Sequence, residues 1–290
     1  MASKIAIDSS KCNGCMLCMQ VCMLGNFEPG DDGKVHPAEG LYCFACGHCI
    51  AACPTSAMSH ADIDASAYEL LDESARPSYD QFLKFLKMRR SRREFKDEPV
   101  PKEAIEKLLA AAVEAPSSIN NQSVQYTVVT DRAILKQISE TSAEFIRKTM
   151  AMMRNPLGKL FFRIVARADY EGMQDFLPLM DCMLAIQDTG KDMVLYDAPC
   201  LIFLHAPKSD MCAPADAIFN AENILLAVET LELGACVIGF VTEPANRGPE
   251  IKRLVQIPAD HAVFSSIIVG IPKFKFRTSV PKNPPVVKYV

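Results

Sequence analysis

The chain of 290 residues is 49% hydrophobic and 23% charged, with a formal net charge of −4, the balance of a globular protein and not of a disordered or fibrous one. It is long enough for two domains, since one core serves roughly 100 to 200 residues. The longest apolar runs, such as Ser266 to Ile271, fall far short of the roughly 20 residues of a membrane helix, and the opening MASKIAIDSS has no signal-peptide core, so a cytoplasmic protein without membrane association is expected.

The first segment is dominated by cysteine. Twelve cysteines could form a disulfide framework, but that device belongs to short secreted chains without a large core. Eight of them lie between Cys12 and Cys53; Cys182, Cys200, Cys212 and Cys236 are scattered among apolar neighbours and are expected to be buried thiols. Cys12-x2-Cys15-x2-Cys18-x3-Cys22 is followed by Cys43-x2-Cys46-x2-Cys49-x3-Cys53-Pro54. A cubane iron–sulfur cluster needs four thiolates from different directions; a tight CxxCxxC loop supplies three, and the fourth must come from elsewhere. Zinc is the competing reading, because CxxC pairs also build four-cysteine zinc sites, yet a zinc ribbon has no use for the third and fourth cysteines of each run.

This segment closely resembles the two-cluster ferredoxins of the bacterial type, in which the fourth cysteine of each run crosses to the other cluster. The resemblance implies two [4Fe–4S] clusters, one on Cys12, Cys15, Cys18 and Cys53, the other on Cys43, Cys46, Cys49 and Cys22. Met23 stands where the usual proline follows the fourth cysteine. His48, inside the second run, reads as a bystander because four thiolates already complete the cluster. Residues 1–75 hold three Lys and no Arg against ten Asp and Glu, net −7, and the remainder nets +3, so an acidic small domain precedes a mildly basic large one, residues 76–290.

Ala61 to Pro77 reads as an acidic connector with one helical turn. Beyond it, Tyr79–Met88 places Phe82, Leu83, Phe85 and Leu86 at helical spacing, and Pro101 followed by Lys102–Ala115 makes a second helix with Ile105, Leu108, Leu109 and Ala112 on one face. Val124–Thr130, Cys200–His205, Cys236–Val241 and Val263–Gly270 are apolar or β-branched runs of strand length. Helical stretches are expected at Asp131–Met150, Pro214–Glu232 and Asn246–Gln256, while Met150–Tyr196 reads as helices connected over an opening, a lid. The fold class is α+β: a small two-cluster domain and a larger domain of helices around one sheet.

Arg89-Arg90-Ser91-Arg92-Arg93 leaves the first of these helices, and guanidinium forks beside a hydroxyl suit a phosphate dianion. A solvated basic patch or a nucleic-acid site is the alternative. Glu114-Ala115-Pro116-Ser117-Ser118-Ile119-Asn120-Asn121-Gln122-Ser123 follows, and Leu233-Gly234-Ala235-Cys236-Val237-Ile238-Gly239-Phe240 lies further on. Together these runs resemble the nitroreductase family of FMN enzymes over essentially all of residues 79–290. The resemblance implies that Arg89, Arg90 and Ser91 bind the FMN phosphate and that Arg93 lies nearer the ribityl chain. It further implies that Pro116, Ser117, Ser118 and Asn120 reach the flavin of the other subunit of a homodimer, and that the backbone of Val237, Ile238 and Gly239 lies beside the ring. Lys282 would complete the phosphate site, with Lys275 or Arg277 as alternatives. Ser123 and Ile271 replace a proline and an aromatic of the family pattern. No G-x-G-x-x-G, P-loop or G-x-S-x-G elbow competes with this reading.

The cofactors would then set the chemistry, because clusters pass single electrons and FMN releases two together as hydride. The expected function is an oxidoreductase that takes electrons through the clusters to FMN and reduces a small electron-poor acceptor such as a nitroaromatic or quinone, with ferredoxin or NAD(P)H as donor. No catalytic side chain and no nucleic-acid partner are called for. A relay between FMN and a protein partner, and a flavin-degrading or dehalogenating activity, are the other readings.

Overall fold

The computed structural model describes residues 4–38, 42–165 and 167–290, with the side chains of residues 161–163, 165, 167–171 and 173 left aside. Met1–Ser3 of the opening segment and Ala166 of the stretch read as a lid therefore lie outside the described residues. Contacts divide the chain into two units. The first is Met1–Pro77 with Ser117–Asn121, and the second is Ser78–Pro116 with Gln122–Val290.

In the first unit each cysteine run is built alike. The third cysteine of each sits in one turn of helix, Cys18 in α1 (Leu17–Val21) and Cys49 in α2 (His48–Ala51), and each helix is entered through a left-handed residue, Met16 at φ 60° and Gly47 at φ 75°. A strand begins five residues after each fourth cysteine. With β1 (Ile5–Ile7), β2 (Phe27–Pro29), β3 (Val35–Pro37) and β4 (Met58–His60), the unit forms two antiparallel ribbons, β1 with β4 and β2 with β3. Among the described residues its buried hydrophobic cluster is Ile5, Cys18, Phe27, Val35 and Met58. So little apolar surface cannot hold a fold of this size alone, which is why small domains recruit metal staples. The connector carries two 3₁₀ turns, Ala65–Ala67 and Glu73–Ala75, capped by Asp64 and Asp72, whose carboxylates accept from the amides of Ser66 and Ser74.

The second unit is organised by a strand that is buried on both sides. β6 (Cys200–Pro207) is flanked by β5 (Gln125–Val129) and β8 (His261–Gly270), and β7 (Gly234–Val237) closes the order β5-β6-β8-β7, antiparallel throughout. The continuous run of Cys200 to Leu204 reflects two cores, not one. Leu201 and Phe203 face α5 (Arg132–Arg154) and α9 (Gly239–Arg247), whereas Cys200, Ile202 and Leu204 face α4 (Lys102–Val113) and α8 (Ala213–Thr230). Ser78 and Gln81 form a capping box on α3 (Tyr79–Met88), and Asp131 caps α5. The Met150–Tyr196 stretch is helical through the end of α5, α6 (Pro156–Val165) and α7 (Arg167–Gln187).

Three expectations need correction. The run Cys236–Val241 is not one strand: the Ile238 amide donates to the Ser266 carbonyl at 2.8 Å, the chain turns, and Gly239 opens α9, so that Val241 is buried from a helix. A short apolar run fits either period, and the pattern alone could not separate them. The helix expected at Asn246–Gln256 is instead the end of α9 and α10 (Glu250–Leu254), parted at Gly248-Pro249, while Asn246 bonds both backbone groups of Val263. Cys200 and Cys236 are buried, but Cys182 is exposed on the outer side of α7, beside the inward-facing Met183, and Cys212 is half-buried ahead of α8.

The sheet also buries two histidines. His205 Nε2 meets Thr127 Oγ1 at 2.9 Å and its Nδ1 meets His261 Nδ1 at 2.8 Å. Burial, then the neighbouring His261 and Lys252, push the His205 pKa down to about 4. The unfolded chain therefore binds a proton that the folded one refuses between roughly pH 6.5 and 4, and stability falls as pH falls through that window, by at most about 3 kcal/mol. Unfolding midpoints in urea should drop from pH 7 to pH 5 in the wild type, and more shallowly in His205→Gln.

Candidate functional site

The eight cysteines of the runs divide into two quartets. One cavity is lined by Cys22, Cys43, Cys46 and Cys49, and another by Cys12, Cys15, Cys18 and Cys53. Each run thus gives three thiols to one cavity and its fourth to the other. No three His, Cys, Asp or Glu side chains among the described residues converge as ligands of a single metal ion. A zinc site would need that tetrahedral convergence, whereas a cubane spreads four irons among four separate thiolates.

Loop geometry and hydrogen bonding suit the quartets to such a group. Gly14 and Ala45, at matching positions between the first two cysteines of their runs, have φ of 70° and 53°. A Cβ on Gly14 would lie 2.3 Å from the Gly33 carbonyl oxygen, so no larger residue fits there without movement. Burial raises the thiols of Cys49, to about 11, and of Cys18, so neither would ionise readily without iron to hold the charge. Burial also acts to raise Cys22 and Cys53, but hydrogen-bond donors outweigh it and hold both below the ordinary thiol range. The Asn26 amide reaches Cys22 Sγ at 3.4 Å and the Ala57 amide reaches Cys53 Sγ at 3.2 Å, four residues on in each case. His48 leads α2 and borders the second quartet's cavity.

In the second unit the arginine motif is laid against the end of the sheet. Arg89 closes α3, Ser91 bridges Ala235 of β7 in parallel, and Phe95 bridges Pro272. The Arg92 amide donates to the Ala235 carbonyl at 2.9 Å, and Lys96 and Glu94 exchange backbone bonds with Ile271 and Lys273. Two glycines permit this approach: a Cβ on Gly234 would meet Arg92 Cγ at 2.7 Å, and one on Gly270 would meet the Phe95 ring at 2.6 Å. The result is a cavity of about 510 Å³ lined by Arg89, Arg90, Ser91, Arg93, Glu94, Phe276 and Lys282, four cationic side chains against one carboxylate. Lys275 and Arg277 do not line it. Tyr196, raised in pKa by burial, sits with its ring 5.8 Å from the Arg93 guanidinium.

The other predicted residues are distributed differently. Val237 is the exposed end of β7, Ile238 is buried, and Gly239 begins α9 with open space where its Cβ would be. Pro116 belongs to the second unit, but Ser117, Ser118 and Asn120 group with the first, where Asn120 Nδ2 donates to the Ala45 carbonyl at 2.8 Å. Ile119, Asn120 and Gln122 all have φ near 50°, and a β-branched residue held in that region marks a segment fixed by its surroundings.

Two residues escaped the sequence reading. Arg92 donates from Nη1 to the Phe274 carbonyl at 3.0 Å and lies 3.8 Å over the Phe276 ring, tying the C-terminal segment to the motif. Burial raises the carboxyl of Glu229 of α8, opposed first by the Arg92 charge and then by the Arg90 backbone. Arg92 is the motif residue to which the family resemblance gives no role, and Glu229 lies in a stretch read only as helical, so neither carried a signal.

Two four-thiol cages and an arginine-lined anion cavity in one chain define an iron–sulfur flavoprotein. The family model for the nitroreductase family matches residues 86–271, and that for a 4Fe-4S dicluster domain matches residues 4–54. The chain belongs to the nitroreductase family. It is 30% identical over 194 residues to an Archaeoglobus fulgidus protein provisionally named NADH dehydrogenase/NAD(P)H nitroreductase, covering 67% of this chain and 87% of that one. It is 41% identical over 193 residues to the FMN reductase [NAD(P)H] of Bacillus subtilis, covering 67% and 66%. An FMN-dependent nitroreductase structure from Clostridium difficile, 22% identical, superposes with a TM-score of 0.51 over 72% of this chain and 99% of that one, a likeness of fold. The protein is an FMN- and iron–sulfur-dependent oxidoreductase with two [4Fe–4S] clusters and FMN as cofactors. No helix among the described residues is long and apolar enough to cross a membrane.

The crossed quartets make a spectroscopic prediction. Cys22→Ser and Cys43→Ser should abolish the same reduced-cluster EPR signal, and Cys12→Ser and Cys53→Ser the other, each variant falling from about eight iron per chain toward four. Pairing of Cys22→Ser with Cys12→Ser would refute the crossing.

Proposed function

We propose that the protein takes electrons in singly through its two clusters, gathers them on FMN and delivers them to a small electron-poor acceptor such as a nitroaromatic or quinone. The observation that carries this reading is the presence on one chain of two cysteine quartets and the cavity of Arg89, Arg90, Ser91, Arg93 and Lys282. Bound there, the flavin supplies two-electron chemistry and the clusters one-electron chemistry. The chain's residues bind and orient. Arg89, Arg90 and Lys282 neutralise the phosphate, Ser91 adds a hydroxyl donor, and Arg93, backed by Tyr196, serves the adjoining ribityl chain. Val237 and Gly239 offer backbone to the ring, where the open space at Gly239 leaves room for close approach.

The functional protein in this reading is a homodimer, with Pro116, Ser117, Ser118 and Asn120 serving the flavin of the other subunit. Supporting it, Phe82 and Met88 of α3 and Ile218 and Phe219 of α8 are each about half exposed on a single chain. Residues 1–75 act as the electron-entry domain and 76–290 as the flavin domain. Tethering makes delivery an intramolecular step with a high effective concentration. Reduced ferredoxin is the donor expected to use this entry, and the nicotinamide in the name of the Bacillus relative makes NAD(P)H the second donor to test.

Arg89→Ala should weaken FMN binding about tenfold to hundredfold, as expected for a charge-assisted bond contributing roughly 1.5 to 3 kcal/mol, measured by flavin fluorescence. Deleting residues 1–75 should leave an FMN-binding dimer that still passes electrons from chemically reduced flavin to a nitroaromatic or quinone but loses turnover with reduced ferredoxin. Undiminished ferredoxin-driven turnover would overturn the entry route; undiminished turnover with NADPH in both forms would assign the clusters an outward role.

A further inference from the structure

His60 is the last residue of β4 and is 5% exposed. Its Nδ1 accepts the Asp62 amide at 3.1 Å, which leaves the ring proton on Nε2, and Nε2 lies 3.7 Å from Cys43 Sγ. With Nδ1 occupied as an acceptor, the ring presents its Nε2–H as a donor to one sulfur of the quartet Cys22, Cys43, Cys46 and Cys49. We propose that His60 makes this the higher-potential quartet of the two, so that the first electron entering the chain rests there.

The internal duplication supplies the control. His60 stands seven residues after Cys53, and the residue seven after Cys22 is Pro29, which has no side-chain N–H to offer the quartet of Cys12, Cys15, Cys18 and Cys53. The same imbalance recurs four residues after each fourth cysteine. Asn26 adds a side-chain donor, Nδ2 to Cys22 Sγ at 3.6 Å, with its second amide proton on the Tyr42 carbonyl at 3.0 Å, whereas Ala57 adds none. Among the described residues the other quartet has one side-chain donor of its own, the Thr55 hydroxyl 3.6 Å from Cys53 Sγ. Among the described residues two buried N–H groups thus stand against one O–H. The nearest carboxylate to His60 in sequence, Asp62, is paired with Lys4 at 2.7 Å, and the Lys4 charge also acts on Cys43. Adding an electron adds one negative charge to the sulfurs, and each donor aimed at them favours that state.

The test is an EPR-monitored redox titration of the full-length holoprotein with dithionite as the one-electron reductant. His60→Phe should lower the reduced-to-oxidised ratio of the first-reduced cluster about tenfold at fixed potential, about 59 mV for a one-electron couple, and leave the second step in place. His60→Gln, which keeps a side-chain N–H, should restore most of the shift. In wild-type protein carrying ¹⁵N-histidine, nitrogen coupling should appear on the signal of the first-reduced cluster, a readout that does not depend on any variant folding. Coupling on the second-reduced cluster, or an unmoved first step in a fully loaded His60→Phe protein, would overturn the proposal.

Discussion

The flavin-binding unit depends on one backbone interaction, the parallel bridge of Ser91 to Ala235 with its companion bond from the Arg92 amide. It fixes the arginine motif against β7, the strand that runs into the turn from Val237 to Gly239. The Phe95 bridge to Pro272 and the Arg92 clamp on Phe274 and Phe276 extend the arrangement to the C-terminal segment, which returns Lys282 to the same cavity. Four like charges gathered in one place repel each other; their assembly is held by neutral backbone bonds and by glycines that let chains approach, and an anion relieves the repulsion.

The cluster-binding unit meets the opposite electrostatic problem. Eight thiolates beside an acidic surface have few cations near them, and the fold answers with directed N–H groups and metal. Duplication gives both quartets the same frame of left-handed loop, single helical turn and backbone donor. Differences between them are then confined to a few side chains at equivalent positions, and unequal properties need no unequal architecture.

What could be read in the sequence follows the range of the signal. Ligand spacing is local, so the cysteine runs disclosed both the metal chemistry and, through their kinship to ferredoxins, the crossing that the cavities display. The arginine motif is equally local, and Arg89, Arg90, Ser91 and Arg93 share one cavity. Lys282 could be separated from Lys275 and Arg277 only by tertiary structure, because all three lie on an extended segment without periodicity. The same holds for the turn at Ile238. Its amide is satisfied by Ser266, far along the chain, and no local pattern announces a partner at that distance. Cys182 was misjudged because apolar neighbours on a helix do not say which way one residue among them faces.

Because β7 is the last strand of its sheet, its outer hydrogen-bonding groups would otherwise template association with a foreign strand. The arginine motif occupies part of that border, so the segment that gathers charge at the cavity also covers a strand margin. Loosening of the motif would then bare an unpaired strand margin.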